Sequence, residues 1–151
     1  MPNTSILKTP VEDFVRDELT KAYPRMTFTE KPVPIGVKRD GSIAKHKFDA
    51  VSSDGTVIAS IKSHSWKTSG GKIPSGKIGE IYQSLYFLSL AKAKTKLLIF
   101  TNKDTRDGFE RIADGKVPSD VKIKYLQLPP KLQLEVTKVI RLASDEMKRL
   151  R

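Results

Sequence analysis

The 151-residue chain has no cysteine and only two histidines, His46 and His64. Disulfides, thiol nucleophiles and cysteine-ligated zinc or iron–sulfur centres are thereby excluded, and a three-histidine zinc site cannot be assembled. A metal, if held at all, must be held mainly by oxygen, which selects magnesium-like ions. Long apolar runs are also missing. Stretches such as Leu97-Leu98-Ile99-Phe100 fall far short of the ~20 residues that a membrane-crossing helix needs. The opening Met1-Pro2-Asn3-Thr4-Ser5 has neither the basic start nor the apolar stretch of a secretory signal. These absences point to a cytoplasmic protein without a membrane partner.

Acidic residues are scarce where bases are dense. Lys and Arg number 28 against 17 Asp and Glu, for a net charge of +11. Residues 31–103 hold 13 of those bases and only four of the acids. A polyanion is the natural partner for such a balance. With 38% hydrophobic and 30% charged residues, the chain is long enough for a single cored domain, residues 1–151, and too short for two ordinary ones.

The pattern along the chain reads as helix, two or three strands, helix, strand, helix, strand, helix. Thr9 is placed to cap a first helix that has Pro10 at its first position, Val11, Phe14, Val15 and Leu19 at helical spacing, and an end near Tyr23-Pro24. Residues 26–37 have strand character, and their prolines assign them to a sheet edge. Residues 43–51 and 56–62 alternate around Ser52-Ser53-Asp54-Gly55 and predict a hairpin. A Ser-, Gly- and Lys-rich loop follows to Pro74. Ser75 then opens a helix to about Ala93, with a strand over 95–101, a short helix over 104–113, a strand over 121–128 and a last helix from Pro129-Pro130. The order is that of an α/β layered domain.

In the hairpin, a two- or four-residue loop places Asp49, Ser60 and Lys62 on one face, which suits either a structural cross-strand pair or a reactive site. On the following helix Lys77, Glu80, Gln83, Ser84 and Phe87 lie on one side, and Ile78, Ile81, Tyr82, Leu85 and Leu88 form the apolar stripe. Glu80 is the sole acid between Gly55 and Lys103. It is either a helix-dipole partner or part of a site.

With Phe48-Asp49-Ala50 followed by Ser60-Ile61-Lys62, the chain resembles the PD-(D/E)xK nuclease superfamily of restriction enzymes and junction resolvases, from about Thr9 to Thr101. The resemblance implies an αβββαβ core with a central mixed sheet flanked by helices. It implies a divalent-metal-dependent DNA endonuclease with Asp49, Lys62 and Glu80 as catalytic residues and Ser60 in the second acid's place. Asp49, Glu80 and the Ile61 carbonyl would hold Mg2+ or Mn2+, and Lys62 would stabilise developing charge. The S-x-K form with a glutamate on the next helix is that of one restriction-enzyme subgroup, and Gln83 with Tyr86 is one residue short of the Q-x-x-x-Y of some relatives. A first-helix glutamate, Glu12 or Glu18, would add a third acid, and a homodimer would serve double-strand cleavage. The same fold with Ser60 marking a decayed site would be a non-catalytic nucleic-acid-binding module.

From Lys62 to Lys77 the chain has four lysines and no acid. Lys67, Lys72, Lys77 and His64 are the expected DNA contacts of this loop, with Lys45 and Lys47 on the hairpin and Gln83 on the next helix. Trp66 can either stack on a base or plug the core. In the final helix Leu132, Val136, Val139, Ile140, Ala143, Met147 and Leu150 form a stripe suited to core packing.

Overall fold

The computed structural model describes residues 8–67 and 75–149, without the side chains of residue 140 and residues 143–149. Helix α1 (Lys8–Ala22) is followed by strands β1 (Phe28–Val37), β2 (Ile43–Ser52) and β3 (Val57–Lys62), helix α2 (Ser75–Leu90), strand β4 (Thr95–Phe100), helix α3 (Lys103–Ile112), strand β5 (Val121–Tyr125) and helix α4 (Pro130–Arg149). The strands form one open sheet in the order β1-β2-β3-β4-β5. The first three run antiparallel, while β4 is parallel to β3 and β5 to β4. The parallel steps are the ones bridged by helices, as crossover connections require. No helix among the described residues is long and apolar enough to cross a membrane.

Each sheet face has its own core. Val15 and Leu19 of α1 pack with Phe28, Ala50, Val57, Ala59, Leu97 and Ile99. On the other face Ile81, Leu85 and Leu88 of α2 pack with Phe48, Val51, Ile58, Leu98, Phe100 and Phe109. Helix α4 closes on α1 through Val11, Leu128 and Val136, so the Leu132 and Val136 end of its stripe is core as expected. The rest of that stripe, from Ile140 on, lies outside the described side chains. Phe87 joins the α2-side core and stacks on His46 at 4.0 Å and 11°, although helical spacing puts it with the polar side.

The hairpin turn is built by Asp54, which accepts from Ser52 Oγ at 2.8 Å, Thr56 N at 3.0 Å and Thr56 Oγ1 at 2.7 Å. Gly55 takes φ +75°, which an L side chain adopts only under strain. Strand β5 stops at Tyr125 rather than Leu128, because β4, its pairing partner, ends at Phe100 and leaves no ladder to extend. Leu128 turns into the α1–α4 contact instead. Asn102 caps α3 by accepting from Thr105 N at 3.1 Å. Helix α2 ends three residues before the expected Ala93.

Candidate functional site

The site forms where β2 breaks its alternation. Pairing of β1 with β2 runs Thr29↔Val51 and then Lys31↔Phe48, so β2 spends one extra residue across that step. Such a bulge turns the strand over. Phe48 therefore packs on the α2 side and Ala50 on the α1 side, which an unbroken strand would not allow. Asp49 lies at the switch. One of its carboxylate oxygens accepts from Ile61 N of β3 at 2.7 Å, taking over a ladder bond. Its carbonyl accepts from Arg16 Nε of α1 at 3.0 Å, and Asp13 holds the same guanidinium at 3.1 Å.

Three acids converge here. One carboxylate oxygen each from Glu12 of α1, Glu30 of β1 and Asp49 of β2 lie within 4.8 Å of one another. Glu12 is buried. Its burial, and then the hydrogen bond and negative charge of Asp49, push its pKa up to about 7 from 4.5. A raised folded value favours the protonated acid, so this contribution to stability is complete below pH 4.5 and fades as the pH rises through about 7. Glu30 moves the other way: Lys47 Nζ lies 2.9 Å from one of its oxygens and Lys8 Nζ 4.0 Å from the other, and the Lys47 hydrogen bond holds it below the usual carboxylate range. The donor set is all oxygen and partly anionic, which fits a hard divalent cation.

No family model, curated protein or solved structure matches this chain. The functional reading therefore rests on the site and its setting.

Lys62 ends β3 half-buried, within electrostatic reach of Asp49 and of Glu80 on α2. Burial lowers its pKa, and the charges of Asp49 and Glu80 oppose that shift. The carbonyl of Lys62 accepts from Thr101 N at 3.0 Å, tying the end of β3 to β4. Ser60 is buried between Ala59 and Ile61, both on the α1 side, so its side chain points to the α2 side, away from Glu12. The bulge thus separates Asp49 and Ser60, which simple alternation places on one face. Glu80 is exposed on α2, near enough to act on Lys62 but outside the group of three acids. Ile61 meets the site through its N–H. Glu18 pairs with Lys21 at 3.0 Å instead. Glu30 escapes the sequence because only the β1–β2 register brings it to Asp49.

The expected nucleic-acid contacts divide. Lys45, Lys47, Lys67 and Gln83 are exposed, Lys77 is half-buried, and Lys72 lies outside the described residues. Trp66 is a core residue at 6% exposure in the α2-side cluster, so its ring is not available to stack on a base. His64 is drawn inward with it: its carbonyl accepts from Thr105 Oγ1 at 2.8 Å, and its Nε2 is buried without a partner among the described residues. Burial, then the charges of Lys77 and Lys62, push the imidazole down to about 4, so at neutral pH it offers no cation to a phosphate. A depressed folded value means that stability from the neutral ring is complete above pH 6.5 and is lost as the pH falls through about 4. Between pH 7 and 4 the melting temperature of the native protein should therefore fall more than that of His64→Gln. Equal falls, followed by circular dichroism, would show that the ring is not held neutral.

Proposed function

We propose that the protein is a divalent-metal-dependent DNA endonuclease of the PD-(D/E)xK kind. The observation that carries this reading is the convergence of Glu12, Glu30 and Asp49, with half-buried Lys62 at the end of β3 within electrostatic reach of Asp49, in a strongly basic chain. The run of elements from α1 to β4 supports it, being the order that the family resemblance implies. The acid that Ser60 lacks is supplied from α1 and β1 rather than from α2.

Asp49, Glu12 and Glu30 would hold Mg2+ or Mn2+. When bound, the cation neutralises phosphate charge and acidifies the attacking water. The chain's own residues do the rest. Arg16 fixes the backbone of Asp49, and Ile61 N–H fixes its carboxylate, so the acid is pre-oriented. Lys62 meets the charge that develops on the phosphate from a partly dry position, where a fixed cation acts most strongly. Its depressed pKa also lets it give or take a proton at Nζ more readily than an exposed lysine. Glu12 must lose its proton for all three acids to act as ligands, so cation binding and protonation compete at this position.

The test is cleavage of supercoiled plasmid and of a labelled four-way junction with Mg2+ or Mn2+, comparing the native protein with Lys62→Ala. Metal-dependent cutting lost in the variant is the expected result, and substrate preference then separates a restriction-like from a resolvase-like role. The Lys47–Glu30 ion pair favours a second reading, because it already neutralises one of the three acids. If both substrates are bound in a salt-sensitive way and neither is cut, the protein is a non-catalytic nucleic-acid-binding module.

A further inference from the structure

Strands β1 and β2 pair from Phe28↔Ser52 to Val37↔Ile43, yet the β2–β3 ladder covers only Ala50↔Ala59 and Val51↔Ile58. From Lys31↔Phe48 outward the two strands therefore leave the sheet as a two-stranded ribbon about 20 Å long, at ~3.3 Å per residue. A free ribbon is marginal in water. This one is backed on one face by α2, through Val33, Ile35 and the His46–Phe87 stack. The alternate pairs Pro32↔Lys47 and Pro34↔Lys45 put exposed lysines and prolines on the other face.

Two features of the ribbon go beyond what the fold uses, although Lys47 also pairs with Glu30. Lys31, Lys38, Arg39, Lys45 and Lys47 are all exposed, and the ribbon's one acid, Asp40, is occupied at the turn by Ser42, whose N–H and hydroxyl donate to it at 3.0 and 2.6 Å. At the far end the paired Val37 and Ile43 are 71% and 49% exposed, side by side and flanked by Lys38 and Arg39. An apolar pair next to two cations at the turn, on a ribbon whose outer face also carries exposed Lys45 and Lys47, suits a ligand that is anionic at its rim and apolar at its floor. The major groove of B-form DNA has that profile: phosphates at its edges, thymine methyls on its floor, and a width of ~12 Å that admits a two-stranded ribbon.

We propose that the β1–β2 ribbon is a docking arm that lies in the major groove of duplex DNA. Lys38, Arg39 and Lys45 meet phosphates, and Val37 with Ile43 seats against base edges. This rests on the nucleic-acid reading above and adds the surface and the form of nucleic acid. A-form RNA, whose major groove is deep and narrow, does not admit the arm.

The test is fluorescence anisotropy with a labelled DNA duplex in EDTA, over a salt series, for the native protein, Lys38→Ala/Arg39→Ala and Val37→Ser/Ile43→Ser. All four positions are exposed, and melting temperatures check that the fold is kept. The double cation variant should lower the slope of log K against log salt by about 1.8, two contacts at ~0.9 each. The apolar variant should weaken binding about tenfold with its slope unchanged, and duplex RNA should compete poorly. Native-like slope and affinity in both variants would overturn the arm while leaving the nuclease reading intact. Loss of binding in the variants of a protein that never cleaves would support the arm and reject the nuclease. Equal competition by duplex RNA, or no binding of duplex DNA by the native protein, would overturn the arm.

Discussion

Asp49→Asn should keep the fold and lose cleavage, by about 10²- to 10³-fold, the scale of removing one preorganised group from a reacting site. The asparagine oxygen can still accept from Ile61 N, the bond that the carboxylate now makes at 2.7 Å. Arg16 binds the main-chain carbonyl and is untouched. What disappears is the negative charge, and with it most of the reason for a divalent cation to stay. Asp49→Ala removes the acceptor as well. It should lower the melting temperature in addition, because an N–H of β3 then loses its partner. The two variants separate roles that the aspartate combines. Equal loss of activity with unequal loss of stability is the expected pattern, measured by plasmid cleavage and thermal denaturation. Full activity in Asp49→Asn would remove the aspartate from the chemistry.

The acids around Asp49 are not equivalent, and their differences follow from where the fold places them. Glu12 comes from the buried side of α1 and resists ionisation, with burial the largest cause. Glu30 comes from an edge strand and is kept ionised by Lys47. A site that combines one reluctant acid, one lysine-paired acid and one acid fixed by a main-chain N–H holds less negative charge than three free carboxylates would. Its mutual repulsion is correspondingly small, with Glu12 buried and Glu30 and Asp49 half-buried. The same balance makes it receptive, since an arriving cation can displace the Glu12 proton and the Lys47 ammonium.

Much of the architecture is legible in the residues. Pro10 and the apolar spacing of Val11, Val15 and Leu19 mark α1, and the prolines of β1 put it at an edge, where the sheet order has it. Asp54-Gly55 marks the hairpin turn. Asp49 and Lys62 stand out because a charged residue in an alternating strand needs a reason. Glu30 does not, for its meaning depends on a partner strand some 20 residues away and on a register slip that neither strand announces alone. The bulge is hidden for the same reason: two residues against one is a property of the pair. Local spacing also misassigns Phe87, whose burial comes from the ribbon that folds over it.

Trp66 gives the largest expected effect on stability. Local sequence offers only a tryptophan in a polar, basic loop, which suits a surface stacking platform as well as a core plug. The deciding residue is Gly108, 42 positions later on α3. A Cβ built on Gly108 overlaps the indole ring of Trp66, so the helix and the ring approach as closely as they do only because a glycine is there. Thr105, one turn earlier, binds the His64 carbonyl, so α3 holds this loop at two points. Trp66→Ala should cost about 3–5 kcal/mol, the range for emptying a large aromatic from a core. For a domain of this size that lowers the melting temperature by roughly 6–20 °C, at about 2–4 °C per kcal/mol. Gly108→Val should be comparably damaging from the opposite direction, by forcing the indole out instead of removing it. Because both changes act on one contact, the double variant should be less destabilised than the two losses added together. A Trp66→Ala protein that melts like the native chain would mean the indole is not packed on α3, and would return Trp66 to the surface role that the loop composition suggests.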